Sequence, residues 1–333
     1  EVSVKVRILT EQEIRRLIGP PEALAAVRAG FAQLARGEVT LPGAIGLDLP
    51  SARGEVHVKG AHVHGSPYFS IKEAAGFYAN PERGLPVSSG VVMVFDAASG
   101  FLNSILLDNG YLTELRTGAA GALSADLLAR PDVGTVGVIG CGGQARYQLE
   151  ALLGVRRPRR VVVHGRSSER AAAYAHEMSE RFGLPVEIAP SVQAVVEASD
   201  ILITTTPSRE PLVRAAWVRR GTHIIAVGSD GPDKREMESA VLARADKVVA
   251  DRLDQCLRLG EIHHAVAEGV LDITRIHGEL GEIAAGLKSG RASDAEITIA
   301  DLTGVGVQDA VVANVVAAAA NSAGLGRVIE AGP

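Results

Sequence analysis

The stretch "VIGCGGQARYQ", Val138 to Gln148, limits the fold of this chain more than any other. An apolar run leads into Gly140-x-Gly142-x-x-Ala145, and a helical pattern follows. Glycines at the first two places allow a tight turn and let backbone N–H groups approach a pyrophosphate. A small third residue lets the helix lie against the strand. The pattern alone is weak, but here a strand precedes it, a helix follows, and a second strand comes next, as a dinucleotide loop requires. Gly143 and Gln144 complete the expected cradle. A purely structural turn is the alternative.

The end of the next strand bears on which dinucleotide is bound. "VVVHGRSSER" carries no Asp or Glu to grip a ribose 2′-hydroxyl; Arg166, Ser167 and Ser168 stand there instead. A guanidinium and hydroxyls suit a 2′-phosphate, so NADP(H) is expected in preference to NAD(H), with NAD(H) still admissible. The same residues can serve as polar caps of the following helix, and Ser167 can do both.

With 333 residues the chain is long enough for two domains. "TVGVIG", "RVVVHG", "DILITTT", "THIIAVGS" and "KVVAD" are short β-branched runs separated by helical stretches, as in a parallel sheet covered by helices. The expected fold class is α/β: a Rossmann-type, doubly wound parallel-sheet domain over 121–307. A strand-rich α+β substrate and dimerisation domain is expected from 1–120 with 308–333. Two lobes with a cleft between them are the expected arrangement. At the start, Val2, Val4, Val6 and Ile8 alternate as a half-buried strand does. Thr10 and Glu13 have capping-box spacing, Pro20 and Pro21 open a helix that Gly37 closes, and a hairpin turns at Ala97 to Gly100. A last long helix begins near Val307.

A formal charge of −5 argues against nucleic acid as the main partner. The basic run "VRRPRR" falls between a helix and a strand and reads as a solvated loop. The longest apolar runs are Ala-rich and too short to span a bilayer, and the first residues have no signal-like pattern. A cytoplasmic protein without a membrane partner is expected. Cys141 and Cys256 make neither a disulfide framework nor a metal set. His57, His62 and His64, and the pair His263 and His264, lack zinc-ligand spacing, so no metal is expected.

Three polar residues stand where a substrate could meet them. Asp230 follows the strand of "THIIAVGSDGPDKREM", at the carboxyl end where open α/β sheets bind ligands, with helix capping as the alternative. Lys72 follows the apolar run of "YFSIKEAAG", where a buried ammonium needs a carboxylate or a ligand and an exposed strand lysine is the alternative. Arg116, beside an Ala-rich helical stretch, can clamp a carboxylate with two bonds, although Glu114 offers a structural partner.

Taken together, "IKEAAGFYANP", "LLDNGYLTELRTGAAGA", "VIGCGGQA", "AVGSDGPDKREM" and "ITIADLTGVGVQD" make the chain resemble the ornithine cyclodeaminase/mu-crystallin family over nearly its whole length. "GEVHVKGA" and "DRLDQCLRLGEIHHAVAEG" are most similar to its ectoine-utilisation branch. The resemblance implies a homodimer built by the first domain and a Rossmann domain for NAD(H) or NADP(H). It also implies a small amino or imino acid substrate beside the nicotinamide. By motif, Lys72 and Arg116 match residues that hold the substrate carboxylate, and Asp230 matches an acid that handles the proton or amine. Thr117, Thr205, Thr206, Ser229, Thr303 and Gly304 are expected beside the cofactor. Many members carry a further carboxylate-binding arginine after a proline in the first domain; "LPGAIGLDLP" has none, and Lys59 or His57 is expected to replace it. The implied activity is an NAD(P)H-dependent reductase or dehydrogenase working on a C–N bond. Two alternatives stay open: a cyclodeaminase that recycles bound NAD⁺, and a mu-crystallin-like binder without catalysis.

Overall fold

The alternating and β-branched runs become strands of two separate sheets. The structure, a computed structural model, describes residues 4–332, so Val2 lies outside the described residues. The first unit opens with β1 (Lys5–Thr10), α1 (Glu11–Arg15), α2 (Pro20–Ala35), β2 (Val39–Thr40) and β3 (Ile45–Leu49). It continues with β4 (Gly54–Val63), β5 (Tyr68–Phe77), β6 (Ser88–Asp96) and β7 (Leu102–Leu107). Helix α3 (Tyr111–Leu128) leads to β8 (Thr135–Ile139), α4 (Gly143–Leu153), β9 (Arg160–His164), α5 (Ser168–Phe182) and β10 (Val186–Ile188). Then come α6 (Val192–Ala198), β11 (Ile201–Thr204), β12 (His223–Ala226), α7 (Ser239–Arg244) and β13 (Lys247–Ala250). The rest is α8 (Leu253–Cys256), α9 (Gly260–Ala267), β14 (Ile276–Glu279), α10 (Leu280–Ala284), β15 (Thr298–Asp301), α11 (Gly306–Ala323) and β16 (Arg327–Glu330). Two compact units result, residues 1–116 with 305–333 and residues 117–304.

In the first unit the strand order is β16-β1-β7-β6-β5-β4-β2, with β3 also paired to β4. Thr10 and Glu13 form the capping box that starts α1, Thr10 N–H donating to Glu13 Oε2 at 2.9 Å. Helix α11 lies against α2 and against β4, β5 and β6. Its residues are apolar nearly all round, as a core helix requires. Its start is seated directly on β4: a Cβ at Gly306 would lie 2.5 Å from the carbonyl oxygen of Gly60. Only glycine permits that approach.

The second unit is a parallel sheet in the order β10-β9-β8-β11-β12-β15-β13-β14. The strand order reverses at β8, which leaves a crevice at the carboxyl ends of β8 and β11, where such sheets bind ligands. Strands β8, β11, β12, β13 and β15 are buried throughout, as strands of a parallel sheet covered on both faces are. The "VRRPRR" run does separate α4 from β9, but Arg156 is not solvated. Its guanidinium donates to the carbonyls of Ala125, Asp126, Ala129 and Arg130 and pairs with Asp126 at 3.1 Å, closing the last turn of α3.

Candidate functional site

The glycine loop leaves β8 through Gly140, whose φ of +109° excludes an ordinary side chain. A Cβ there would sit 2.6 Å from Thr205 Oγ1, on the loop after β11. Gly142 is the N-cap of α4 and is exposed, and a Cβ on it would meet nothing within 4 Å. Open space at the N-terminus of an 11-residue helix, beside the strand-order reversal, is a place where a phosphate group could be held. Gly143 is exposed, Gln144 half-buried and Ala145 fully buried. Arg166 is exposed beyond β9, and Ser167 caps α5 by accepting from Arg170 N–H at 3.2 Å.

A set of buried carboxylates ties the neighbouring loops. Glu236 accepts from Thr206 N–H at 2.6 Å, Thr206 Oγ1 at 2.7 Å and Gly228 N–H at 3.0 Å, so it links the loops after β11 and β12. Burial pushes its pKa up to about 7 against those hydrogen bonds. Asp251 accepts from Thr303 Oγ1 at 2.9 Å and Gly304 N–H at 2.7 Å. Burial pushes Asp301 up to about 8, and the nearby Asp251 and Glu236 push the same way. Glu236 was not among the expected site residues, since nothing local in "PDKREM" sets it apart from its charged neighbours.

Asp230 lies half-buried on the loop after β12 and pairs with Lys234 at 2.7 Å. The helix-capping alternative is excluded, because α7 starts at Ser239 with Glu238 as its N-cap. Ser229 Oγ donates to the Lys234 carbonyl, which orders the same turn. Thr117 O accepts from Gln148 Nε2 at 2.9 Å, joining α3 to α4.

In the first unit the sheet brings together residues far apart in sequence. Lys59 on β4 stands directly opposite Lys72 on β5, so their side chains leave the same face. Lys72 is 2 % exposed, which excludes the exposed-lysine alternative. Its Nζ lies 3.2 Å from Asp309 Oδ1, and Arg116 Nε lies 3.0 Å from the same oxygen. Arg116 Nη1 donates to Gln308 Oε1 at 2.7 Å. Thus α11 anchors Arg116 through Gln308 and Asp309. His57 lies two residues before Lys59 on β4, on the same pleat face.

Charge and burial oppose each other in this cluster. Burial pulls Lys72 down to about 8, Asp309 resists, and Arg116 and Lys59 add to the fall. Burial disfavours ionised Asp309, but Arg116, Lys72 and Lys59 together hold its carboxyl below the usual range. Asp108, whose Oδ2 accepts from Leu112 N–H at 2.8 Å, is raised by burial, with Lys72 opposing. Asp309 Oδ1 thus sits between two buried cations, while Asp309 Oδ2 is buried without a hydrogen-bond partner among the described residues. Gln308 and Asp309 escaped sequence reasoning although they fall inside "ITIADLTGVGVQD"; two polar residues opening an apolar helix were the available signal. Among the described residues, no group of three or more His, Cys, Asp or Glu could hold a metal ion, and no helix is long and apolar enough to cross a membrane.

The model of the ornithine cyclodeaminase/mu-crystallin family matches residues 4–324. The chain is 38 % identical to an archaeal alanine dehydrogenase, described as a dimer with bound NAD, with a TM-score of 0.92 over 99 % of this chain and all of that one. The Δ1-pyrroline-2-carboxylate reductase of Thermococcus litoralis, solved with NADH and L-proline, is 32 % identical with a TM-score of 0.92, covering 96 % of this chain and 99 % of that one. An uncharacterized cyclodeaminase of Sinorhizobium fredii is 40 % identical over 98 % of this chain and 99 % of its own length.

Proposed function

The chain belongs to the ornithine cyclodeaminase/mu-crystallin family, and from that premise we propose that it is a nicotinamide-dependent reductase or dehydrogenase acting on the C–N bond of a small imino or amino acid. The observation that carries this reading is the buried basic cluster, in which Lys72 and Arg116 share one carboxylate oxygen with Lys59 beside them. Two buried cations meeting at one carboxylate oxygen suit a further carboxylate ligand. Lys72 and Arg116 bind the substrate α-carboxylate, while Lys59 and His57 extend the basic surface. Asp230 keeps the substrate nitrogen protonated or moves its proton, with Lys234 setting its position. Burial of Lys72 and Arg116 strengthens the charges of those two side chains.

The glycine cradle fits a dinucleotide pyrophosphate, since Gly140 and Gly142 leave the turn and the helix N-terminus open to it. Gly143, Gln144, Ala145, Thr117, Thr205, Thr206, Ser229, Thr303 and Gly304 complete the proposed cofactor site. When bound, the nicotinamide supplies or accepts the hydride. NADP(H) is preferred in this proposal, because Arg166 is exposed beyond β9 with Ser167 beside it and no acid. Ser167 caps α5 as well, so the preference leans chiefly on Arg166. A homodimer is part of the same reading: Ile45, Leu47 and Leu49 expose 59 %, 56 % and 40 % of their surface on β3. We also assign the protein to the cytoplasm, where reduced nicotinamide pools are available.

The similarity to a named cyclodeaminase favours a second reading, deamination and ring closure without net redox change. Stoichiometry separates the two. The test is NAD(P)H consumption with small cyclic imines, and with keto acids plus ammonia or methylamine. Ammonia release from ornithine and diaminobutyrate is followed in parallel. Steady consumption of reduced cofactor supports a reductase; ammonia release with unchanged cofactor supports the cyclodeaminase. Lys72→Ala and Asp230→Ala should lower turnover strongly while leaving cofactor binding intact, and near-normal turnover in both would remove them from the mechanism.

A further inference from the structure

We propose that Asp309 is a positioning residue that keeps Lys72 charged, so that substrate carboxylate binding is lost at alkaline pH through Lys72 and depends on Asp309 for its range. This deepens the proposed function and rests on it. Lys72 leaves β5 into a region walled by β4 and β6 and covered by α11. The charged and titratable groups facing it are Lys59 and His57 from β4, Arg116 from α3, Asp309 from α11 and Asp108 from the turn before α3. Two of these are cations, and Lys59 stands directly opposite, a like-charge arrangement that disfavours a second ammonium. Of the two carboxylates, Asp309 is the one at ion-pair distance from Lys72 Nζ, 3.2 Å.

Asp309 suits that task by position as well as charge. It lies in the first turn of α11, where the helix N-terminus favours a carboxylate. The close seating of Gly306 on Gly60 fixes that turn against β4. One oxygen then reaches both Lys72 Nζ and Arg116 Nε, at 3.2 and 3.0 Å, so a single side chain sets the spacing of the two cations. Removing its charge leaves Lys72 with burial and two cationic neighbours, all of which favour loss of its proton. With Lys72 neutral, the clamp loses one of its charge-assisted bonds to the substrate.

The experiment measures kcat and KM from pH 6 to 9 for the wild type, Asp309→Asn and Lys72→Arg, with the best imino acid found in the screen. NAD(P)H titration and thermal melting at pH 6 accompany each variant as controls on cofactor binding and folding. The wild type should lose kcat/KM along an alkaline limb near pH 8, where burial and its neighbours set Lys72. In Asp309→Asn that limb should move down by a pH unit or more, with KM at pH 8 rising about tenfold relative to its value at pH 6. The change should fall mainly on KM. Lys72→Arg, which carries a permanent charge, should lose the limb at any residual activity. Lys72→Arg also tests the idea if Asp309→Asn does not fold. A uniform fall at every pH with an unmoved limb, or a limb retained in Lys72→Arg, overturns the inference and leaves the functional reading standing. Absence of turnover by the wild type on every imino acid tried, or full turnover by Lys72→Ala, overturns that reading and this inference with it.

Discussion

Two alanine substitutions in the glycine loop, two residues apart, should have opposite consequences. At Gly140 the backbone φ is +109°, and an added Cβ would lie 2.6 Å from Thr205 Oγ1 and 3.2 Å from the Thr205 carbonyl oxygen. Thr205 Oγ1 donates to Ile139 O at 3.2 Å, so relief requires breaking that bond or shifting β11. Placing an L-residue on the left-handed side costs about 1–2 kcal/mol, and overpacking adds about 1–3 kcal/mol. Gly140→Ala should therefore destabilise the second unit by about 2–5 kcal/mol, which at about 2–4 °C per kcal/mol for a unit of this size lowers its melting by at least about 4 °C. At Gly142 the φ is −86°, the residue is exposed, and the Cβ meets no atom within 4 Å. Gly142→Ala should cost about 1 kcal/mol or less as a weaker N-cap. Its methyl group fills the space proposed for the pyrophosphate, so NADPH and NADH should each bind at least about tenfold more weakly. The assay is thermal melting of the protein without cofactor, with fluorescence titration of each reduced dinucleotide. Unchanged affinity for both in Gly142→Ala would refute the cradle and leave the loop as a structural turn. Unchanged melting in Gly140→Ala would refute the strain argument.

Arg166→Ala should weaken NADPH binding about tenfold, the size of one charge-assisted hydrogen bond, and leave NADH nearly unaffected; equal loss for both would assign Arg166 no part in the choice. Asp301 titrates near 8 in the fold, chiefly through burial, against 3.8 as its ordinary value. Its contribution to stability is therefore full below about pH 4 and is lost as the pH rises through 8. Asp301→Asn should flatten that fall, with the gain over wild type complete at and above pH 8; unfolding free energies from urea titrations that fall equally with pH in both proteins would refute the assignment. Leu47→Lys on the exposed apolar strand β3 should shift sedimentation from dimer toward monomer with little change in melting, and an unshifted dimer would place the interface elsewhere.

The parts of this molecule that could be read in advance are those governed by local physics. Thr10 and Glu13 cap α1 because the exchange of bonds needs only four consecutive residues. Gly140 and Gly142 declare themselves because a turn without Cβ atoms is written directly in the composition of the loop. Strand order is another matter. β15 is inserted between β12 and β13 although it comes after β14 in the chain. "TIAD" is as uniformly buried as its neighbours and shows no alternation, so periodicity gives no means of ranking it among them. The site divides along the same line. Lys72 could be singled out because an ammonium after an apolar run demands an explanation, and its burial confirms the demand. Its partner could not, because Asp309 is 237 positions away and only the seating of α11 on β4 brings the two together. Nor could Lys59 be assigned to the cluster from spacing, since the strand register that sets it opposite Lys72 depends on the turn between β4 and β5. A buried ion cluster of this kind is a poor source of stability, because desolvation offsets most of the attraction between its members. What favours such a cluster at the start of a core helix is the electrostatic field it maintains there. That is the link from α11 packing to chemistry: the helix that closes the first core also carries the charge that keeps its lysine cationic.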